Sequence, residues 1–195
     1  LHVDETTLRV QKGEKSKSGG GKTSVDYLWA MLGRGPDGTP VGVSFLHADG
    51  RQHAVARSIL SDATGCVMTD GYDAYPQACK GRSDLVHGLC WAHARRKYHE
   101  ALQCGYGQAS QAIERIAELY AFHRRIQELV SRITRRWKSA GLPVDQTSLD
   151  QIILDRRAKW MKPVVDQLEK WNSEMVRSAT PEGKFGEAIG YFQNH

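Results

Sequence analysis

The sequence predicts an α/β protein in which a mixed sheet of five strands with flanking helices is followed by an all-helical hairpin. Three strand-like segments joined by short polar links are typical of an antiparallel meander. Two short apolar segments come next, each followed by a helical pattern, and the second half of the chain repeats apolar residues at helical spacing. The predicted strands are residues 1–10, 25–32, 41–46, 66–69 and 85–89.

Length and composition are those of an ordinary globular protein, with 195 residues, 40% hydrophobic and 25% charged. No apolar segment approaches the roughly 20 residues that span a bilayer, and no secretion signal opens the chain, so we expect a soluble, cytoplasmic protein. The net charge of +5 fits a polyanionic partner but is also common on proteins that bind none. The four cysteines include no CxxC pair, so neither a zinc ribbon nor a disulfide framework is indicated. Because the first residue is Leu1 rather than Met, we expect a piece of a longer protein.

The first predicted strand carries an aspartate. Residues 1–10 alternate weakly between apolar and polar side chains and contain β-branched Thr6 and Thr7, which is typical of a strand. Asp4 lies near its middle, where an acid is costly unless it is exposed or compensated. Asp4 is therefore either an exposed or edge-strand residue or a metal ligand, and this segment leaves both interpretations open.

A polar, lysine-rich segment follows at residues 11–24. Residues 16–23 approach the phosphate-binding pattern G-x-x-x-x-G-K-[ST], but Ser16 replaces the first glycine and a strand rather than a helix follows. The segment is therefore predicted to be a flexible hairpin tip and not a nucleotide site. We expect Lys22 within it to contact a nucleic-acid phosphate backbone.

Helices surround the last two predicted strands. One helix is predicted from His53 to Asp62 and a short helical segment from Tyr72 to Cys79. The strand 66–69 between them lacks alternation, which predicts burial on both faces. In the helix from Trp91 to Gln103 the apolar face is expected to pack on the sheet, and the opposite face is solvated or turned toward a polyanion. The opposite face carries His93, Lys97 and Glu100.

The second half of the chain is predicted to be helical. Apolar residues recur at a spacing close to 3.5 from Ala109 to Trp137. A second helix is expected to begin at a capping box on Ser148, with a kink or a new helix at Pro163. A further helix is expected to begin at about Pro181. These helices contain no residue that looks catalytic.

Two aspartates are expected at strands of a basic protein. Asp70 directly follows the strand 66–69, and strand ends are where α/β proteins place chemistry. With Asp4 it suits a metal-dependent phosphodiester reaction, because Mg²⁺ prefers oxygen ligands and is often held by one or two carboxylates plus substrate phosphate. A two-metal site usually needs at least three acids, and these residues supply two.

Cys90 and His93 form a Cys-x2-His pair at the start of the helix that begins at Trp91. As zinc ligands the pair is incomplete, since Cys79 and Cys104 stand at irregular distances. As a nucleophilic dyad it lacks an orienting partner. We favour a structural Cys–His pair that braces the helix start near the site.

Six short motifs occur in a fixed order, namely HVDET, YLW, TDGYDAY, CWAHARRKY, the Leu119-Tyr120 pair and GKFGEAIGYF. This order resembles the central catalytic region of the insertion sequence sixty-six family of bacterial transposases. The resemblance covers essentially the whole chain, and CWAHARR following DGY is its most specific part. It implies a DDE transposase with a ribonuclease-H-like fold, in which Asp4 and Asp70 are the first two catalytic acids and bind the metal. It also implies a catalytic core at 1–105, a helical insertion at 106–178 and a returning core segment at 179–195.

The resemblance further implies a third acid, a glutamate in an N-N-x-x-E-R-type helix that follows the insertion. No such motif occurs in the sequence, so we expect that carboxylate to be missing and this stretch of chain to have little or no activity by itself. A rival is Glu100, 30 residues after Asp70, where simpler relatives carry their glutamate.

The same resemblance implies Mg²⁺ or Mn²⁺ as the cofactor, DNA ends and target DNA as partners, and a homo-oligomer in the active complex. The reaction would nick DNA at the ends of the element, and the freed 3′-hydroxyl would attack the target. Arg95, Arg96 and Lys97 are expected to bind phosphates without reading sequence. Two alternatives stay open: a ribonuclease-H-like nuclease without joining activity, and a non-catalytic DNA-binding or scaffold module whose acids are structural.

Overall fold

The chain forms a sheet unit, residues 1–90, and a helical unit, residues 91–195, and the computed structural model describes residues 1–15, 21–35 and 38–194. The first unit contains strands β1 His2–Lys15, β2 Gly21–Arg34, β3 Pro40–Ala48, β4 Gly65–Thr69 and β5 Leu85–Leu89, and helices α1 His53–Leu60 and α2 Ala74–Cys79. The second contains helices α3 Trp91–Gln103, α4 Ala109–Ser139, α5 Gln146–Arg156, α6 Lys162–Met175 and α7 Lys184–Asn194. Among the described residues no helix is long and apolar enough to cross a membrane.

The sheet is mixed, as predicted, and its strand order is β3-β2-β1-β4-β5. Strands β1, β2 and β3 form an antiparallel meander, whereas β4 runs parallel to both β1 and β5. The pairing of β1 with β4 sets His2 opposite Met68, and the backbone N–H of Met68 donates to the carbonyl of Leu1 at 2.8 Å. This central parallel pair fixes the relative level of the two strands that carry Asp4 and Asp70.

Strands β1 and β2 are longer than the sequence predicted. Their antiparallel pairing continues through Val10 opposite Ser24 to Lys12 opposite Lys22. The predicted loop 11–24 is therefore wrong for most of its length, because strand pairing satisfies the backbone N–H and C=O groups of this polar segment. The centre of that loop, residues 16–20, and the side chain of Lys22 lie outside the described part of the chain.

One face of the sheet is covered by α1 and α2 within the first unit. The buried cluster combines strand and helix residues, namely Val3, Trp29, Ala56, Leu60, Val67, Ala74, Tyr75 and Leu85. Strand β4 is buried on one face only, since Val67 and Thr69 are buried while Cys66 is exposed. The predicted burial of β4 on both faces is therefore wrong, because these two helices protect only the face that Val67 shares with Val3.

The second unit is organised around the apolar face of α3. Ala94, Tyr98 and Ala101 are buried there, as the spacing predicted. The cluster around them is rich in alanine and comes from α4, α6 and α7, so the predicted packing of this face on the sheet is wrong. The other members of that cluster are Ala109, Ala112, Ile116, Leu168, Phe185, Ala188 and Ile189.

A buried polar chain crosses this cluster. The Tyr98 hydroxyl donates to Asn172 Oδ1 at 2.5 Å, and Asn172 Nδ2 donates to the carbonyl of Ile189 at 3.3 Å. Tyr98 and Asn172 are almost completely buried. Helices α3, α6 and α7 are thereby joined by hydrogen bonds in an otherwise apolar interior.

The starts of the later helices differ from prediction in detail. The N-cap of α5 is Asp145, whose carboxylate accepts from the backbone N–H of Ser148 at 3.3 Å, so the predicted cap at Ser148 is wrong. A π-helical turn, Arg157–Met161, precedes Pro163, which stands in the first turn of α6. Proline lacks the N–H that a continuing helix needs, and the predicted new helix there is confirmed. Helix α7 begins at Lys184 rather than at Pro181.

Candidate active site at the end of strand β4

The carboxylate of Asp70 is held on both oxygens. Oδ1 accepts from the backbone N–H of Tyr72 at 2.9 Å, and Oδ2 accepts from Arg51 Nη2 at 3.1 Å. Asp70 stands directly after β4, and 23% of its side chain remains exposed. The end of β4 thus presents a fixed, solvent-accessible carboxylate with a cation already attached to it.

Arg51 connects Asp70 to a second acid, Glu5. Its guanidinium forms an ion pair with Glu5, whose side chain is 3% exposed. The same guanidinium lies 3.8 Å from the centre of the Tyr72 ring, and the Tyr72 hydroxyl donates to the carbonyl of Arg51. Cation–π attraction and the two ion pairs therefore fix Arg51 between the carboxylates.

The Glu5 carboxylate is stabilised from the protein interior. The hydroxyl of Tyr75 donates to it, and Tyr75 packs edge-on against Trp29 with ring centres 6.0 Å apart. Burial raises the pKa of Glu5, although the Tyr75 hydrogen bond and the charge of Arg51 oppose that effect. Burial and the hydrogen bond to Glu5 raise the pKa of Tyr75, so its hydroxyl stays a donor at neutral pH.

Asp4 lies at the same level on the neighbouring strand. It is exposed, and its Oδ1 accepts from the backbone N–H of Glu5 at 3.0 Å. Continued by two residues, the register of His2 opposite Met68 brings Asp4 level with Asp70. Successive side chains alternate across a strand, so Asp4 and Glu5 leave opposite faces of β1. The structure therefore links Asp70 to Glu5 through Arg51, whereas the side chain of Asp4 leaves the other face of β1.

The carboxylates of Asp4 and Asp70 are suitable ligands for a divalent cation, but two carboxylates do not complete a metal site. Carboxylate oxygens are the ligands that Mg²⁺ and Mn²⁺ prefer. Asp4 lies within β1, and Asp70 directly follows the parallel strand β4. Within the described ranges, no three His, Cys, Asp or Glu side chains are grouped closely enough to hold a metal ion. Arg51 also occupies one oxygen of Asp70, so a cation would compete with it for that oxygen.

Cys90 and His93 fall on either side of the boundary between the two units. The backbone N–H of Cys90 donates to the carbonyl of Thr69 at 3.0 Å, which extends the pairing of β4 and β5 by one residue. His93 lies in the first turn of α3 and is half-buried. None of the four cysteines, all within the described part, forms a disulfide. Zinc ligation, a Cys–His dyad and the structural role of this pair stay predictions.

The remaining predicted site residues lie on α3. Arg95 and Arg96 are exposed, Lys97 is half-exposed, and all belong to the first two turns of the helix. Glu100 is also half-exposed and acts electrostatically on Lys184 of α7. The assignment of Glu100 as a third acid remains a prediction.

Sequence reasoning missed the residues that hold Asp70. Glu5 lies on the same face of β1 as buried Val3, and an acid on a buried face requires a compensating cation. The cation is Arg51, which follows a turn after β3 and offers no periodic signal. Tyr72 and Tyr75 belong to the TDGYDAY motif, whose tyrosines thus serve this network.

Comparison with known proteins gives a family match over the full length. The family model described as "Transposase IS66 family" matches residues 1–195. The uncharacterized protein y4qI of Sinorhizobium fredii is 29% identical over 201 residues, which cover 98% of this chain and 33% of that protein. The uncharacterized protein y4hP of the same organism is 24% identical over 193 residues, which cover 88% of this chain and 34% of that protein. The chain thus spans about a third of the length of these relatives, and no solved structure matches it significantly.

Proposed function

Because the chain belongs to the IS66 family of transposases, we propose that it is part of the catalytic region of a DDE transposase that cleaves and joins the DNA of an insertion sequence. The proposal assigns residues 1–105 to a ribonuclease-H-like core, 106–178 to a helical insertion and 179–195 to a returning core segment. The complete enzyme would act as a homo-oligomer on element ends and target DNA, and its third acid would come from outside these residues.

One observation carries this proposal, the parallel pairing of β1 with β4. The register sets His2 opposite Met68, and Asp4 and Asp70 each come two residues later, which supports a cation shared between them. The strand order β3-β2-β1-β4-β5, with an antiparallel meander next to two parallel strands, is consistent with a ribonuclease-H-like core. Both features are backbone properties and do not depend on the rotamer of either aspartate.

The residues of the chain would divide the work as follows. Asp4 and Asp70 would hold Mg²⁺ or Mn²⁺, which when bound would activate the attacking oxygen and stabilise the leaving oxygen. Arg51 keeps Asp70 oriented through its contacts with Glu5 and Tyr72. Arg95, Arg96 and Lys97 bind DNA phosphates.

A second candidate function is favoured by the ion pairs of Arg51. Both oxygens of Asp70 already have partners, and Glu5 is compensated by the same guanidinium. An acid with a purely structural role would have its oxygens paired in this way, so the arrangement supports a non-catalytic DNA-binding or scaffold module. The two functions differ in whether Asp70 binds a cation in solution.

Calorimetric titration of Mn²⁺ into the protein separates these functions. We expect weak Mn²⁺ binding by the wild type that is lost in Asp70→Asn and in Asp4→Asn, because each replacement removes one of only two anionic ligands. Asp62→Asn is the matched control, since Asp62 is an exposed aspartate that follows α1 in the same unit. Circular dichroism verifies that each variant is folded.

Equal Mn²⁺ heats in the wild type and in folded Asp70→Asn would contradict the metal role and support the scaffold. If Mn²⁺ binds as expected, labelled element-end DNA incubated with the longer protein distinguishes a transposase from a nuclease. Joined products are expected from a transposase, whereas only nicked products would indicate a nuclease without joining activity.

A further inference from the structure

A basic groove lies between α3 and α4 in the helical unit. Its cavity of about 370 Å³ is lined by Ala92 and Arg95 of α3 and by Ala117, Tyr120 and Arg124 of α4. Both alanines and both arginines are exposed. Tyr120 is 37% exposed at the groove wall.

The two guanidinium groups of the groove are not neutralised. Within the described part of the chain, neither Arg95 nor Arg124 forms an ion pair or a side-chain hydrogen bond. A second hollow on α4 shows the contrast, because its Arg115 pairs with Glu118 at 3.4 Å. Both cations line the same cavity, so an anion bound in it would be attracted by both.

The groove continues along an exposed stripe of α4. At 3.6 residues per turn, five exposed residues lie on the same side of the helix as Arg124, namely Gln127, Glu128, Ser131, Arg135 and Lys138. From Arg124 to Lys138 the helix carries six basic residues and one acid, Glu128. The stripe is about 21 Å long at a rise of 1.5 Å per residue.

We propose that this groove and stripe bind a single DNA strand, with one phosphate between Arg95 and Arg124 and an unpaired base against the ring of Tyr120. Cationic grooves with exposed aromatic rings are how proteins bind single strands, since every base has a face that can stack. The inference rests on the proposed function for its DNA partner and extends it. It gives the predicted helical insertion a direct role in binding DNA.

Fluorescence anisotropy with a short labelled single-stranded oligonucleotide, measured over a range of salt concentrations, tests the proposal. We expect Arg95→Gln and Arg124→Gln each to weaken binding and to lower the salt slope by about 0.7, because each removes one phosphate contact with a single strand. Arg115→Gln is the matched control on α4, and its slope should equal that of the wild type.

The ring of Tyr120 is tested separately. Tyr120→Leu is expected to weaken single-strand binding about tenfold, within the range for one stacked base, and to affect duplex binding less. Tyr120→Phe keeps the ring and should restore wild-type affinity. Because Tyr120 is partly exposed, these variants are expected to fold, and circular dichroism verifies it.

Two results would overturn the proposal. If wild type binds DNA but Arg95→Gln and Arg124→Gln behave like Arg115→Gln, the groove is not the binding site and the proposed function is unaffected. If wild type binds neither single-stranded nor duplex DNA at low salt, the DNA partner of the proposed function fails and the groove fails with it.

Discussion

Replacing Arg51 with Gln should destabilise the sheet unit, because it leaves buried Glu5 without its counter-charge. Removing one partner of a buried ion pair costs about 3–5 kcal/mol. Since Arg51 is 34% exposed, solvent screens part of that interaction, and we expect a loss of about 2–3 kcal/mol at neutral pH. Urea denaturation of the wild type and the variant measures the loss.

The loss should depend on pH in a defined direction. The pKa of Glu5 is raised in the folded protein, chiefly by burial, so the folded state takes up this proton more readily than the unfolded state. The charge of Arg51 lowers the pKa of Glu5, so removing Arg51 raises that pKa further. Protonation of Glu5 therefore stabilises the folded state, and this stabilisation is gained as the pH falls through the folded-state pKa of Glu5. The destabilisation by Arg51→Gln should therefore be largest where Glu5 is ionised and shrink as the pH falls through the raised pKa of Glu5.

A double-mutant cycle isolates the cause. In the Glu5→Gln background no buried charge is left behind, so Arg51→Gln should cost about 1–2 kcal/mol less than in the wild type. Arg57→Gln, an exposed arginine of α1, is the matched control and should change stability by less than about 0.5 kcal/mol. A loss that is the same at all pH values, or the same in the Glu5→Gln background, would refute the reasoning.

Two further predictions concern the helical unit. Gly186→Ala should destabilise by more than about 2 kcal/mol, because a Cβ there would meet the backbone carbonyl oxygen of Thr180 at 2.1 Å, whereas Gly190→Ala in the same helix has open space and should stabilise by up to about 1 kcal/mol. Urea denaturation checks both, and equal effects would contradict the close contact. Tyr98→Phe should cost about 1–3 kcal/mol by leaving Asn172 Oδ1 buried without its donor. An unchanged unfolding midpoint in the same assay would show that the bond contributes nothing.

Much of the fold follows from local sequence patterns. The apolar phase of α3 and the new helix at Pro163 were both predictable, because periodicity and the missing proline N–H act over a few residues. What covers the apolar face of α3 was not predictable. Several amphipathic elements offer faces of similar size, and the choice among them is made by packing across the whole unit.

The candidate site was predictable only in part. Asp70 at the end of β4 could be found because an apolar strand delivers it. The network around it could not, since Glu5, Arg51 and Tyr75 meet only after β1, the turn before α1 and α2 have come together. Charge compensation is a long-range property, and the sequence shows the acid without showing which distant cation lies against it.

The hydrogen-bond chain from Tyr98 through Asn172 to α7 has a consequence for how uniquely the helices can pack. Alanine side chains are small and nearly alike, so an alanine-rich interface would tolerate a sliding of one helix along another with little change in contact. The buried Asn172 amide accepts from Tyr98 and donates to the carbonyl of Ile189. It tolerates no such shift, because sliding by one turn would separate it from both partners. The Tyr98–Asn172 pair therefore fixes the register of the helices, and the alanine core around it can vary in sequence as long as this pair is kept.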